Sequence, residues 1–249
     1  CAHQSSWKGL LTVMRKLGNV TALRRGKSPK SSGTLTAKVD KATGTAELFV
    51  YGQIGEDWFG DGVTAQSFQQ ELRSIPRSIK SIDLRINSDG GVVTEARAMY
   101  ALLLDHHAKI HVHIDGIAAS AASFLAMVGD TISINEGAFI MIHNARVNTR
   151  GTSAELRKIA DTMDIVNDAM IDTYAARTNA ERSEIKSMMD AETWMSAADA
   201  VELGFADELT AHKSKVVASS SILSSYERVP SVLRPGRQRA AEILKGLKT

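Results

Sequence analysis

The chain of 249 residues contains a single cysteine, Cys1, so it can form no intrachain disulfide and has neither a CxxC redox site nor a thiolate zinc site. Long apolar runs are missing too. The longest nearly uninterrupted stretch of apolar or small residues, Ile117 to Val128, has 12 residues, short of the roughly 18 that span a bilayer. Near the N-terminus the apolar positions are interrupted by Lys8, Arg15 and Lys16, which spoils the apolar core of a secretory signal. These absences predict a cytoplasmic protein with neither membrane anchor nor export signal. Acids are absent from residues 1–39, which carry eight Lys or Arg, while residues 40–210 carry 14 basic against 26 acidic side chains and residues 211–249 eight against two. The net charge of +2 therefore hides segments of +8, −12 and +6. An acidic body with two basic arms could dock the arms on nucleic acid, an anionic surface or an acidic partner chain; the alternative is a pair of solvated tails.

What is present is a globular composition, 43% hydrophobic and 23% charged, which argues against disorder of the whole chain or a fibrous class. Trp7, Leu10, Leu11, Met14 and Leu17 fall at helical spacing with basic residues between them, so a short basic amphipathic helix is expected before Gly18. The stretch RRGKSPKSSG, residues 24–33, reads as a linker, with the folded body starting after it. With the cuts placed by charge, the expected division is a basic arm and linker over 1–39, a catalytic domain over 40–210 and a basic, disordered tail over 211–249, whose serines and two prolines suit no packed element.

Inside the body, strands and helices alternate: AELFVYGQI, SIDLRINS and KIHVHID as strands, VTAQSFQQELRSI and VTEARAMYALLL as helices, then a helix over SAASFLAMVG and strands at TISI and AFIMIH. Ser153 to Ala176 then forms a long helical pattern with Leu156, Ile159, Met163, Val166 and Met170 on one side. Two shorter helices follow, over 181–189 and 197–203, the second stopped by Gly204 in the C-cap position. The rhythm predicts one α/β domain in which the sheet gives way to helices.

Three places could carry chemistry. INSDGG, residues 86–91, lies between a strand and a helix, where Gly90 and Gly91 permit a tight turn that aims backbone N–H groups outward, although such turns are also plain structure. In DGIAASAASF a strand ends at Asp115, Gly116 turns, and Ser120 arrives at a helix start, where unpaired N–H groups favour negative charge at a nucleophilic serine; the competing reading is an N-cap serine with tightly packed alanines, and Ser123 is a rival one turn on. Small neighbours at 118, 119, 121 and 122 would let a substrate backbone approach. A serine nucleophile needs a base. His143 ends an apolar strand, where open α/β sheets place their sites, whereas His111 and His113 alternate along a strand and His106 and His107 end a helix. A carboxylate should hold the imidazole, and Asp190, Glu192 and Asp199 are all in range, with spacing unable to choose.

INSDGG, GIAASAASFLAMVG, IMIHNA and ETWMSAADAVELGFAD, in this order and at these intervals, resemble the signature segments of the Clp protease proteolytic subunit over residues 45–209. That resemblance implies a Clp/crotonase-like fold of repeated β-α units with a protruding long helix, or handle, here Ser153 to Ala176, and flexible basic tails. It also implies a serine endopeptidase with Ser120 as nucleophile and His143 as base. The family acid falls on Glu192, where cellular enzymes have Asp, with Asp190 in reserve. The N–H groups of Gly91 and Ala121 would hold the oxyanion, with Gly90 supporting the turn, and Asp89 stands where the family has Pro. No metal or cofactor is implied, and ring-forming homo-oligomers are. The doubled AASAAS, the MIHNA segment and the ETW triplet are similar to Clp-like head maturation proteases of tailed phages, whose substrates are scaffold and capsid proteins. The basic N-terminus is unlike the short axial loop of the cellular subunit, so an ATPase partner is not expected. The alternatives are a general Clp-type proteolytic subunit working with an ATPase and, in different classes, a crotonase-type acyl-CoA enzyme or a non-catalytic scaffold-binding protein.

Overall fold

The computed structural model describes residues 34–56, 62–211, 226–230 and 233; the helix expected before Gly18 and the linker at 24–33 lie outside them. Alternation builds the sheet. In β2 (Thr45–Tyr51) and β3 (Ser81–Ser88) every second side chain is buried, so Ala46, Leu48 and Val50 and then Ile82, Leu84 and Ile86 face one core. Each of these valine, leucine and isoleucine side chains stabilises the fold by about 1.5–3 kcal/mol. β4 (Lys109–Ala119), β5 (Thr131–Asn135) and β8 (Glu208–Thr210) extend the sheet in the order β1-β2-β3-β4-β5-β8, with β1 (Thr34–Asp40) antiparallel to β2 and the other pairs along this path parallel.

Helices α1 (Ala65–Ser74) and α2 (Val93–Leu104) bury Phe68 and Leu72, and Ala96, Met99 and Leu103, respectively. α1 starts at a capping box in which Thr64 accepts from the Ser67 N–H, 3.1 Å, and Ser67 answers the Thr64 N–H, 3.1 Å. α3 (Ala121–Ala126) is buried throughout. α4 (Ser153–Arg177) is the 25-residue long helix, capped by Thr152 and Glu155. Only Met170, Ile171 and Tyr174 of it are buried, and Leu156 and Ile165 are exposed, so the apolar side expected from Leu156 to Met170 meets the core at its C-terminal end alone. The handle is thus partly docked and partly projecting. α5 (Arg182–Asp190) and α6 (Ala197–Glu202) complete the helices, with Gly204 at φ +80 where the sequence placed the stop. No helix among the described residues is long and apolar enough to cross a membrane.

Three expectations change. The sheet does not give way to helices, because β7 (Thr193–Ser196) and β8 return to it after α5 and α6; strands of four and three residues are too short for a periodic signal. The strand expected to end at Asp115 runs on to Ala119. Its first half pairs with β5 at His111–Ile114 and its last residues pair with β6 (Phe139–Ile142), so β4 parts from one neighbour and takes another. Finally, the tail beyond residue 210 is not wholly unstructured, because Val229 and Leu233 are 6% and 4% exposed in a cluster with Ile117, Ala119 and Met141. These two apolar residues dock the described part of the tail, 226–230 and 233.

Candidate active site

The register of β4 on β6 assembles the site. Ala119 lies opposite Met141, the Ser120 N–H still donates to the Met141 carbonyl at 2.8 Å, and His143 follows directly on the end of β6 at Ile142. Ser120 turns the chain from β4 into α3 at φ +55, ψ −124, a backbone conformation that disfavours an L side chain. Its hydroxyl makes no capping bond to α3. It meets His143 instead, at 2.8 Å from Nε2. Both residues are buried, at 7% and 6% exposure. The N-cap reading of Ser120 therefore does not describe what its side chain does.

The glycine turn backs directly onto this serine. A Cβ built on Gly90 (φ +97) would stand 2.8 Å from Ser120 Cβ and 3.1 Å from Ala121 N, so only glycine lets the two turns touch. On its other side the turn is held by Ile54, whose N–H donates to the Gly90 carbonyl and whose carbonyl accepts from Val92, each at 2.9 Å. The alanines at 118, 119, 121 and 122 are all buried, and the Gly90 turn lies against the backbone of Ala119 and Ala121. Ala121 opens α3, where a helix's own ladder leaves N–H groups unpaired. Ser123 is committed elsewhere, donating to the Ser120 carbonyl at 2.7 Å and bonded to the Tyr174 hydroxyl at 2.9 Å.

The three carboxylates separate by surroundings. Asp190 is exposed and bonded to Lys186 and Asn144, each at 2.7 Å. Asp199 belongs to the capping box of α6, accepting from Ser196 N–H and Oγ at 2.9 and 2.7 Å. Glu192 is 6% exposed and sits at φ +49 ahead of β7. Its oxygens are occupied: Oε2 accepts from Arg146 Nη2 at 2.7 Å, and Oε1 from the Arg228 N–H at 2.8 Å and from Trp194 Nε1 at 3.3 Å. Burial would raise its pKa, but the amides of Arg228 and Glu227, the indole and the guanidinium together hold it below the ordinary carboxylate range. His143 Nδ1, buried, makes no hydrogen bond among the described residues. Burial, and then the Arg146 charge, push the His143 pKa down to about 4, with Glu192 pulling the other way.

Other histidines have structural partners. His111 Nδ1 lies 2.6 Å from Thr131 Oγ1 and His113 Nδ1 lies 2.7 Å from Ser133 Oγ, tying β4 to β5. His107 Nε2 faces the carbonyls of Arg77 and Ile79 at 3.0 Å. No group of three or more His, Cys, Asp or Glu that could hold a metal ion occurs among the described residues.

Sequence reasoning assigned no role to three residues that stand here. Asp89, beside the glycines, is 4% exposed, and burial raises its pKa to about 6. Arg146 holds Glu192. Tyr226 lies against His143 with ring centroids 5.3 Å apart and planes at 71°. Its hydroxyl donates to the Asp89 carbonyl at 2.6 Å and is also hydrogen-bonded to the Ser120 side chain. The one sequence signal for Tyr226 was an aromatic residue in a serine-rich stretch.

A parallel sheet that delivers a buried serine in a strained turn to a histidine, with a glycine turn against the same serine, has the layout of a serine hydrolase. The family is more specific than the layout. The family model described as Clp protease matches residues 36–213, and the chain belongs to that family. Membership makes it a serine-type peptidase by class, in a family that acts on protein substrates as ring oligomers.

Proposed function

We propose that the protein is a serine endopeptidase with Ser120 as nucleophile, His143 as base and Glu192 as the acid behind it, and that its substrates are the scaffold and capsid proteins of a tailed phage. The observation that carries the catalytic reading is the 2.8 Å contact between Ser120 Oγ and His143 Nε2. Neutral His143 takes the hydroxyl proton as Oγ attacks the scissile carbonyl carbon. The N–H groups of Gly91 and Ala121 stabilise the tetrahedral oxyanion, and Gly90 keeps the two turns in contact. His143 then returns the proton to the leaving amine, giving an acyl-enzyme that water, deprotonated by His143, hydrolyses. Glu192 is favoured over Asp190 because it is buried beside His143 while Asp190 is exposed and bonded to Lys186. The exposed N-terminal half of α4 supports assembly into a homo-oligomeric ring. The phage reading rests on the AASAAS, MIHNA and ETW segments and the basic N-terminus, which also argues against a dedicated ATPase.

The test has two arms. A fluorophosphonate should label the wild type and leave Ser120→Ala unlabelled; equal labelling removes the peptidase mechanism and favours an acyl-CoA enzyme without a serine nucleophile. Co-expression with phage capsid and scaffold proteins should give products whose intact masses differ between wild type and Ser120→Ala. Uncleaved capsid and scaffold proteins beside an enzyme that labels would remove the maturation role alone.

A further inference from the structure

The Ser120–His143 pair has an occupant, and it is part of this chain. Three contacts place it. Tyr226 lies edge-on to His143 and to Trp194, 6.0 Å between centroids, with its hydroxyl on the Asp89 carbonyl and on Ser120. The Arg228 and Glu227 amides donate to Glu192. Val229 and Leu233 fill an apolar patch of Ile117, Ala119 and Met141, rimmed by Phe139 and Trp194.

We infer that residues 226–230 and 233 latch over the site and hold it closed, Tyr226 covering the nucleophile while the backbone at 227 and 228 holds Glu192 away from His143 Nδ1. This rests on the peptidase reading given above. Two features distinguish a latch from a substrate caught in place. What meets Ser120 is a phenol hydroxyl, which offers no electrophilic carbon, so the contact blocks attack without leading to acylation. In addition, the segment engages the acid as well as the nucleophile: Arg228 donates to Glu192 Oε1, Arg146 holds Oε2, and the buried Nδ1 of His143 makes no hydrogen bond among the described residues. An imidazole whose Nδ1 proton has no carboxylate acceptor lacks the orientation and charge support that a triad supplies. Opening the latch uncovers Ser120 and removes the Arg228 and Glu227 amides from Glu192 together, so access and activation are coupled in one movement. The segment sets an aromatic ring at Ser120 and aliphatic residues three and seven positions on, at Val229 and Leu233, the latter in a turn whose N–H donates to the Pro230 carbonyl at 2.9 Å.

The experiment compares rates of fluorophosphonate labelling in the full-length chain. Val229→Asp puts a charge into the apolar patch and Tyr226→Ala removes the cover; each should label about tenfold faster than wild type or more, as loss of one buried anchor implies, with Ser120→Ala as blank. A synthetic peptide spanning residues 224–233, added to Val229→Asp, should slow labelling again, and Tyr226→Phe should fall between wild type and Tyr226→Ala. Melting curves check that the variants remain folded. Equal rates for wild type and both open variants overturn the latch and leave the peptidase intact. If none of these proteins labels, the peptidase reading falls and the latch with it.

Discussion

Replacing Arg146 by Gln perturbs the base without touching it. In the wild type the imidazole of His143 is buried, stands near the Arg146 charge, and gains little from a carboxylate whose Oε2 is bonded to Arg146 at 2.7 Å. A fall from the ordinary 6.5 to about 4 corresponds to about 3.4 kcal/mol against the imidazolium. Gln at 146 removes the repelling charge and releases Oε2. Burial, the larger cause, remains, so the histidine should recover part of the fall; an opposite charge in reach is worth about 1–3 units, and we expect a rise of about 1–2 units. The assay is the pH dependence of fluorophosphonate labelling, which needs neutral His143. Its acid limb should lie near pH 4 in the wild type, move up in Arg146→Gln, and stay low in Arg146→Lys. Stability should follow with the matching sign. A histidine whose folded pKa is depressed contributes stability above its unfolded pKa and loses it as pH falls through the folded value, so the wild type should lose up to about 3 kcal/mol between pH 6.5 and 4 and Arg146→Gln less. An acid limb that stays within about 0.3 units of wild type in Arg146→Gln refutes the reasoning.

Three further perturbations follow from the backbone and from Asp89. Ser120→Gly should abolish labelling and yet raise stability by about 1 kcal/mol, because φ +55 with ψ −124 strains serine and suits glycine; an unchanged or lowered Tm contradicts the strain argument. Gly90→Ala should destabilise by at least about 2 kcal/mol and abolish labelling, since the added methyl would meet the Ala119 carbonyl and Ser120 Cβ at a positive φ; a soluble variant with wild-type labelling shows that the turns are not in contact. Asp89, raised by burial to about 6, contributes stability below its ordinary pKa of 3.8 that is lost as pH rises through 6, about 3 kcal/mol in all. Asp89→Asn should therefore raise Tm by several degrees at pH 8 and much less at pH 4, a contrast that differential scanning at the two pH values would reveal or dismiss.

The parts of the site that could be read from the sequence are those encoded by local chemistry. SIDLRINS and KIHVHID alternate and became β3 and the first half of β4, and AFIMIH ends where an apolar strand hands a polar residue to the sheet edge. Gly90 and Gly91 are glycines because of φ +97 and +144, which a strand-turn-helix pattern already suggested. The acid was different. Asp190, Glu192 and Asp199 lie within ten residues, and spacing gives each a claim; a lysine, an arginine and a capping serine divide them, and only Lys186 and Ser196 are near in sequence to the groups they hold. Tyr226 lies 106 positions from Ser120, and no local pattern ties a tail tyrosine to a strand end.

Why β4 continues past Asp115 explains how these distant pieces meet. Had the strand ended there, Ser120 would sit at the end of a loop, free of β6, and its distance to His143 would depend on loop conformation. Instead β4 leaves β5 after Ile114 and pairs with β6 over Ile117–Ala119, so the hydrogen-bond register that pairs Ala119 with Met141 also fixes Ser120 beside His143. Asp115 anchors the point of departure, accepting from Tyr51 Oη at 2.6 Å and from Arg85 through both Nε and Nη2, with Asn135 of β5 on its carbonyl at 3.2 Å. The same continuation brings Ile117 and Ala119 beside Met141 of β6, the buried patch on which Val229 and Leu233 settle. One strand extension thus sets the distance between Ser120 and His143 and supplies two residues of the apolar patch that holds Val229 and Leu233.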